Sequence, residues 1–510
     1  MAVCASAASA QTYCVAPATG CAVDVPASPT VLQVALDAAA SNPGADTVRL
    51  GSATYTTTNS NGFTYIDPGS NDPIFITGVG TPGVSTIAVA APGGVPAGMT
   101  NYRGLTIDNL GGQSSLSDLS IALPTPLVVL PANFPENQHY HGFNDQSNTQ
   151  VTNVTISSPP AAPIYATGID SVDSGTQIAD STMSLGSGGA NYPSYGVDET
   201  NLNPVDMNVT NTTIASDQPF RYVNADPGAK LSIDRSTLQA RQVGVAATAS
   251  TVLAYNTLID LGANAGAVAF DVGFENQNSA TDSAVGGDGL TIVGSGNNQL
   301  GFSVHAVTDN TDPLHPEFVD TATTTLLDTV IDLRGPNPVA VYRSDDADGT
   351  ANVNIDYSSL DATTNSESDG AATAPGTTTL GAHNLSPADN GFGDFATGVF
   401  RLAAGSPLID VGDPAPPQYG AVDHDGNSRA LLGKTGCNAR RDIGAYEFVP
   451  APAIVPSGCP APTPTPTTNP PAGGGTTQPK KCKKSFKSKK VKGKKKCVKV
   501  KKKRALTAPR

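Results

Sequence analysis

Tryptophan is missing from this 510-residue chain, and aromatics of all kinds make up 5% of it. That scarcity disfavours a groove built to grip sugar rings on broad aromatic faces. Cysteine is missing from the whole interval between Cys21 and Cys437, and neither a CxxC nor a Cys/His cluster occurs, which argues against a structural zinc site. Charged residues are few, at 15%, and helix-period apolar patterning is nearly absent, so helical bundles and coiled coils are set aside. No run approaches the roughly eighteen apolar residues that a membrane-crossing helix requires.

What is present is turn-forming and repetitive. The chain holds 52 Gly and 41 Pro, and a short phrase recurs: an apolar residue, a variable one, usually Asp or Asn, another variable one, usually Ser or Thr, then an apolar residue. It occurs at Leu116 to Ile121 (LSDLSI), Val151 to Ile156 (VTNVTI), Ile178 to Met183 (IADSTM), Val209 to Ile214 (VTNTTI) and Ile233 to Leu238 (IDRSTL). Weaker copies lie at Leu253 to Leu258, Val285 to Leu290, Leu326 to Ile331 and Ile355 to Leu360, with starts 20 to 41 residues apart along the series. An irregular period of this size, carrying short β-branched strands, predicts an all-β stacked solenoid. Alternate strand residues face opposite ways, so Val151 and Ile156 can both point inward only if the strand bends between them. Asn153 and its equivalents suit that bend, because Asn and Asp tolerate the left-handed backbone region and can stack in ladders at about 4.8 Å. An antiparallel sandwich also has short, turn-punctuated strands, but it does not need one phrase repeated so often.

The opening MAVCASAASA ends in the A-x-A pattern Ala8-Ser9-Ala10 and reads as the tail of a signal peptide whose start lies upstream of Met1, with an unstructured Ala/Ser leader as the alternative. One helix follows: Ser28 caps it, Pro29 takes its first position, Val31, Leu32, Ala35, Leu36 and Ala39 form its apolar face, and Asn42-Pro43-Gly44 stops it. Laid across the exposed end of a solenoid, such a helix blocks end-to-end pairing. The passage SPTVLQVALDAAASNPGADTVRLGSATY resembles the start of bacterial right-handed parallel β-helix proteins of the pectin-lyase-like superfamily.

Near the other end, AGSPLIDVGDP (Ala404 to Pro414), DHDGNSR (Asp423 to Arg429) and DIGAYEF (Asp442 to Phe448) together resemble the choice-of-anchor Q module. The resemblance implies a segment that closes a β-helix ahead of a cell-surface anchoring region, with no catalytic role. DHDGNSR lacks the remaining acidic ligands of a calcium loop and reads as a turn fixed by Asp side chains and Gly426, with Arg429 pairing an Asp. Residues 449–479 carry no charge and form a Pro/Thr/Gly-rich linker, able to span on the order of 90 Å where extended. Residues 480–510 hold 15 Lys and two Arg with no acid. Since the whole chain is at −14, this +17 tail leaves −31 on residues 1–479, so the acidic average hides two oppositely charged parts.

The expected organisation is therefore a signal-peptide remnant at 1–10, an N-terminal cap and first coils at 11–100, parallel β-helix repeats at 101–365, C-terminal coils with the anchor-like module at 366–448, the linker at 449–479 and a disordered Lys-rich tail at 480–510. With Cys4 removed, proximity suggests disulfides Cys14 with Cys21, Cys437 with Cys459 and Cys482 with Cys497, one of fifteen connectivities open to six cysteines. Catalytic candidates are sparse. Arg343, Asp345 and Asp346 could form a lyase or hydrolase site, and Asp345, Asp346 and Asp348 a calcium loop, although a solvated turn explains the same composition. His139 and His141 would share one face if on a strand, though a polar loop accounts for them as well. The polygalacturonase-like motif set is not present. No cofactor beyond a calcium ion is expected. The tail's partner is expected to be an anionic cell-envelope polymer rather than nucleic acid, since Phe486 is its one aromatic, with a solvated or folded-back tail as the alternative. A secreted, surface-associated, adhesin-like binding or structural protein is the leading reading. The alternative is a polysaccharide lyase or glycoside hydrolase on the same scaffold.

Overall fold

The computed structural model describes residues 10–451 apart from 16–22, 26–30, 68–71, 92–99, 110–111, 126–137, 161–163, 173, 190–191, 202–204, 225–228, 274–281, 308–320, 347–348, 361–364, 369–374, 416–420 and 435–438, and beyond these residues 486–491 and 494–499. The chain divides into two units, Met1–Pro456 and Ser457–Arg510.

The first unit is a right-handed parallel β-helix. Each coil gives one strand to each of three parallel sheets of 14, 11 and 11 strands. A typical coil runs from Gln150–Thr152 in the first sheet to Thr155–Ser157 in the second and Ala166–Val172 in the third, before Gln177–Ala179 starts the next. Apolar residues stack in columns along the inside. Ile121, Ile156, Met183, Ile214 and Leu238 lie in register on the second sheet, none more than 1% exposed. Each such side chain contributes about 1.5–3 kcal/mol by leaving water.

The bend expected at Asn153 lies between the first and second sheets, where Asp118, Asn153, Asp180, Asn211, Arg235, Asn256, Asp328 and Tyr357 all have φ between 46 and 58°. Their side chains form the ladder: Asn153 Nδ2 donates to Asp118 Oδ1 at 2.7 Å, and Asn211 Nδ2 to Asp180 Oδ1 at 2.6 Å. Two weaker copies of the phrase are shifted. The bends fall at Asn256 and Gly289, so these copies begin at Ala254 and Gly287, one and two residues later than the apolar pattern indicated. A search for an apolar start misses them because the inward position is small. Leu290 fills the space, since a Cβ on Gly287 would meet its Cδ1 at 2.7 Å.

Directly after the bend a buried hydroxyl performs a task that the sequence pattern treats as variable. Ser181, Thr212, Ser236, Thr257, Thr329 and Ser358 each donate back to the carbonyl two residues earlier. Several also accept an N–H from the preceding coil, as Ser236 Oγ does from Thr212 N at 3.2 Å. Backbone groups that the bend removes from the ladder are thereby satisfied inside the core.

The helix Val31–Ser41 buries Val31, Leu32, Ala35, Leu36 and Ala39, the face expected for it. The Gln33 side chain behaves like a strand neighbour, donating to Thr64 O and accepting from Thr64 N, both at 2.8 Å, and so covers the first edge of the third sheet. Ser28 and Pro29 lie outside the described residues, as do residues 1–9.

The C-terminal blocks were expected to close the end of the solenoid. Their described residues instead lie along its flank. Tyr446 and Ala445 pack on Leu258 and Val293, and Ile443, Leu408 and Ile409 on Val330. Arg441 Nη1 lies 3.0 Å from Asp288 Oδ2 and 3.3 Å from Asp328 Oδ2, reaching the bend column itself. His424 Nε2 meets Thr237 Oγ1 at 3.0 Å. In the DHDGNSR turn, Asp423 accepts the N–H groups of Asp425 and Asn427, and Gly426 has φ 86°. Arg429 does not pair an Asp side chain. It donates to the carbonyls of Gly444 and Asp442 and lies 3.8 Å from Glu447, because its buried position is ringed by that strap.

In the second unit, Phe486–Val491 and Lys494–Lys499 pair as antiparallel strands.

Candidate functional site

The third sheet carries its own phrase, overlooked in the sequence: a variable residue, a glycine or other small residue, an apolar residue and a polar one. It appears as Arg103-Gly-Leu-Thr106, His141-Gly-Phe-Asn144, Thr167-Gly-Ile-Asp170, Tyr195-Gly-Val-Asp198 and Gln218-Pro-Phe-Arg221. The glycine and the apolar residue both face inward. A Cβ on Gly142 would lie 2.7 Å from Ile156 Cγ2, and one on Gly196 2.3 Å from Ile214 Cγ2. The strand turns a corner there, and the polar residue after it faces out. Register then aligns Asn144, Asp170, Asp198 and Arg221 as one outward column.

These groups are partnered. Asp170 Oδ2 lies 3.0 Å from His141 Nδ1 and accepts from Asn144 Nδ2 at 2.8 Å. Burial pushes the Asp170 carboxyl up, but the bonds from His141 and Asn144 outweigh it and hold it below the usual range. One coil on, Arg221 Nη1 spans both oxygens of Asp198 at 3.1 and 3.2 Å. Burial lifts Asp198 to about 6; Arg221 pulls against this and the like charge of Asp170 adds to it. Further along, His305 Nε2 lies 3.6 Å from Asp271.

His139 and His141 are on the strand Gln138–Asp145 and not in a loop. Their rings sit 4.0 Å apart, and His139 stacks on Tyr165 at 3.8 Å. Burial, with His141 and Arg103 nearby, holds His139 well below its ordinary pKa and therefore neutral at pH 7. Tyr192 and Tyr195 flank Tyr165 at 5.7 and 6.4 Å, and the Arg221 guanidinium lies 5.6 Å from the Tyr195 ring centre. The scarce aromatics are thus gathered where composition alone cannot reveal it. The result is a polar, partly aromatic cluster in which His139, His141 and Asn144 are buried and Arg221 is partly exposed.

Arg343 and Asp345, the sequence-stated catalytic candidates, turn the other way. They pair with each other and are 2% and 1% exposed. Asp345 also accepts the N–H groups of Ala351 and Gly376, so it clasps the corner between successive strands. Neither can meet a substrate from that position. Asp346 ends the strand Val339–Asp346, and Asp348 lies outside the described residues. Among the described residues, no group of three or more His, Cys, Asp or Glu could hold a metal ion. Cys14 is buried in the strand Thr12–Val15 and disulfide-bonded. Cys21, Cys437, Cys459 and Cys482 lie outside the described residues, and Cys497 is on the tail hairpin, opposite Ser488. Among the described residues, no helix is long and apolar enough to cross a membrane.

No family model matches the chain, and neither does any curated protein. Among solved structures it is similar to pectate lyase Pel9A, at 12% identity and a TM-score of 0.35, over 86% of this chain and 97% of that one. It is also similar to PfbA, a surface adhesin of Streptococcus pneumoniae, at 10% identity and a TM-score of 0.31, over 68% and 89%.

Proposed function

We propose that the chain is a secreted, surface-associated binding protein: a rigid β-helix that offers its third-sheet face to a polysaccharide or similar polymer and is held at the cell envelope by its Lys-rich tail. One observation carries the binding reading. The acids on that face are engaged, Asp170 by His141 and Asn144 and Asp198 by Arg221, whereas lyase chemistry asks for carboxylates open to a metal and a base open to substrate. Envelope attachment draws support from the opposed charges of body and tail and from the resemblance of residues 404–448 to an anchoring module.

A polysaccharide lyase or glycoside hydrolase remains the second reading, favoured by the stacking of Asp170, Asp198 and Arg221 on consecutive coils of one face. The two separate in one experiment. Intact protein is incubated with pectin, alginate and wall glycans, with and without calcium, and both retention and the release of unsaturated or reducing ends are measured. Retention without release supports the binder. Release that is abolished in Asp198→Asn would establish the enzyme.

A further inference from the structure

A second polymer site is built on a different face. Where the chain passes from the third sheet into the first, Ser115, Gln150, Gln177 and Asn208 stand in register on four successive coils. Two residues upstream, Gln113, Asn148, Gly175 and Asp206 form a parallel column. Between the columns lies a cavity of about 490 Å³, its lining dominated by the side-chain amides of Gln113, Asn148, Gln150 and Gln177. Part of this lining is held rigid. Gln177 Nε2 donates to the carbonyls of Gly175 and Asp206 at 2.9 and 3.1 Å, its Oε1 accepts from Asn208 Nδ2 at 2.7 Å, and Asn148 Oδ1 accepts from Gly175 N at 2.9 Å. Gln113 and Gln150 are exposed and make no side-chain hydrogen bond among the described residues. Their amides each present a donor and an acceptor to solvent from a fixed frame.

We propose that this cavity is a binding subsite for a neutral oligosaccharide. Paired donor and acceptor groups suit adjacent sugar hydroxyls, which both give and take hydrogen bonds. The coil spacing of about 4.8 Å places successive amides near the length of one hexose in an extended chain. No basic residue lines the cavity and Asp206 does, on a body of net charge −31, so uronate polymers are repelled. With no aromatic in the lining, each sugar binds weakly, and retention depends on several being engaged along the column.

This inference rests on reading the chain as a polymer binder, but it concerns a different sheet, so the two fail separately. The test titrates the full-length protein with cellohexaose, maltohexaose and hexagalacturonate by calorimetry, in parallel with a Gln113→Ala/Gln150→Ala variant and a Gln150→Glu variant. Both substitutions are at exposed positions, and unchanged circular dichroism confirms their fold. Binding of a neutral hexasaccharide that weakens about tenfold or more in both variants and is unaffected in Arg221→Ala supports the site. Hexagalacturonate binding that weakens in the Gln variants and not in Arg221→Ala, equal binding of the neutral sugars by the variants, or no binding of either neutral sugar overturns it. Cleavage of an acidic polymer at the third-sheet face would overturn the binder reading alone.

Discussion

The two corners of each coil follow different rules. Between the first and second sheets, most turns repeat one construction: a left-handed residue, usually Asn or Asp, then in six of them a buried Ser or Thr, then an inward apolar residue. At the third sheet the inward glycine and apolar residue recur, yet the outward residue changes from Asn144 to Asp170 to Asp198 to Arg221. Constancy at one corner is what stacking requires, since each coil must match its neighbours. The other corner is free of that demand: it carries the like charges of Asp170 and Asp198 on neighbouring coils, offset by His141 and Arg221. Substitutions on the repeated corner should therefore cost stability, and those on the varied face should cost binding.

The largest expected effect is at Arg441, which ties the flanking strap to the bend column through Asp288 and Asp328. At pH 8, where Asp328 is ionised, Arg441→Met leaves buried carboxylates without their cation and should cost about 3–5 kcal/mol in docking of the strap. Hydrogen exchange should then show residues 440–448 exchanging freely while the coils stay protected. Equal protection in the variant would mean that apolar packing alone holds the strap. Next is Ile214→Ala, in the middle of the second-sheet column, with an expected loss of about 2–5 kcal/mol in denaturant unfolding. Thr212→Val should cost about 1–3 kcal/mol, because Thr212 Oγ1 satisfies the Thr210 carbonyl inside the core; a neutral result would show that the hydroxyl column is dispensable. On the other face, Arg221→Ala should change stability by about 1 kcal/mol or less, given a 39% exposed side chain, while lowering retention on acidic polymer. A large loss of stability with unchanged retention would reverse the assignment of roles.

The same contrast explains what could be read from the sequence. The bend phrase was legible because Asn153, Asp180 and Asn211 sit in a backbone region that Asn and Asp tolerate better than most side chains. It was misplaced at Asn256 and Gly289, where packing through Leu290 allowed the inward residue to shrink. The third-sheet face was not legible, since Asn144, Asp170, Asp198 and Arg221 share a position after Gly-apolar or Pro-Phe but no single residue type. Arg343 and Asp345 looked functional because acids and a base cluster in sequence. Strand alternation then turned both inward, where Asp345 accepts backbone N–H groups.

The smallest effect is a pH response that should differ between the two faces. Where the strap meets the bend column, burial raises Asp328 to about 7, Asp442 to about 6 and Glu447 to about 9, and raises Asp288 as well. An unfolded carboxyl ionises near pH 4. Between about pH 4 and 9 the docked strap therefore retains protons that the unfolded chain has released, and its stability is greatest below that window and falls as pH rises through it. His424, lowered by burial, and Asp425, lowered by Arg401, work the other way, and their contributions are lost as pH falls below about 6.5 and about 4, but four acids oppose them. On the third-sheet face, neutral His139 loses stability on acidification while Asp198 gains it, so the two oppose each other. Exchange rates corrected for intrinsic pH dependence should thus show residues 440–448 better protected at about pH 5.5 than at about pH 8, with little change across Gln138–Asp145. Stronger protection of the strap at the higher pH would mean that its carboxylates are ionised when docked, and that Arg429 and Arg441 bind them as full ion pairs.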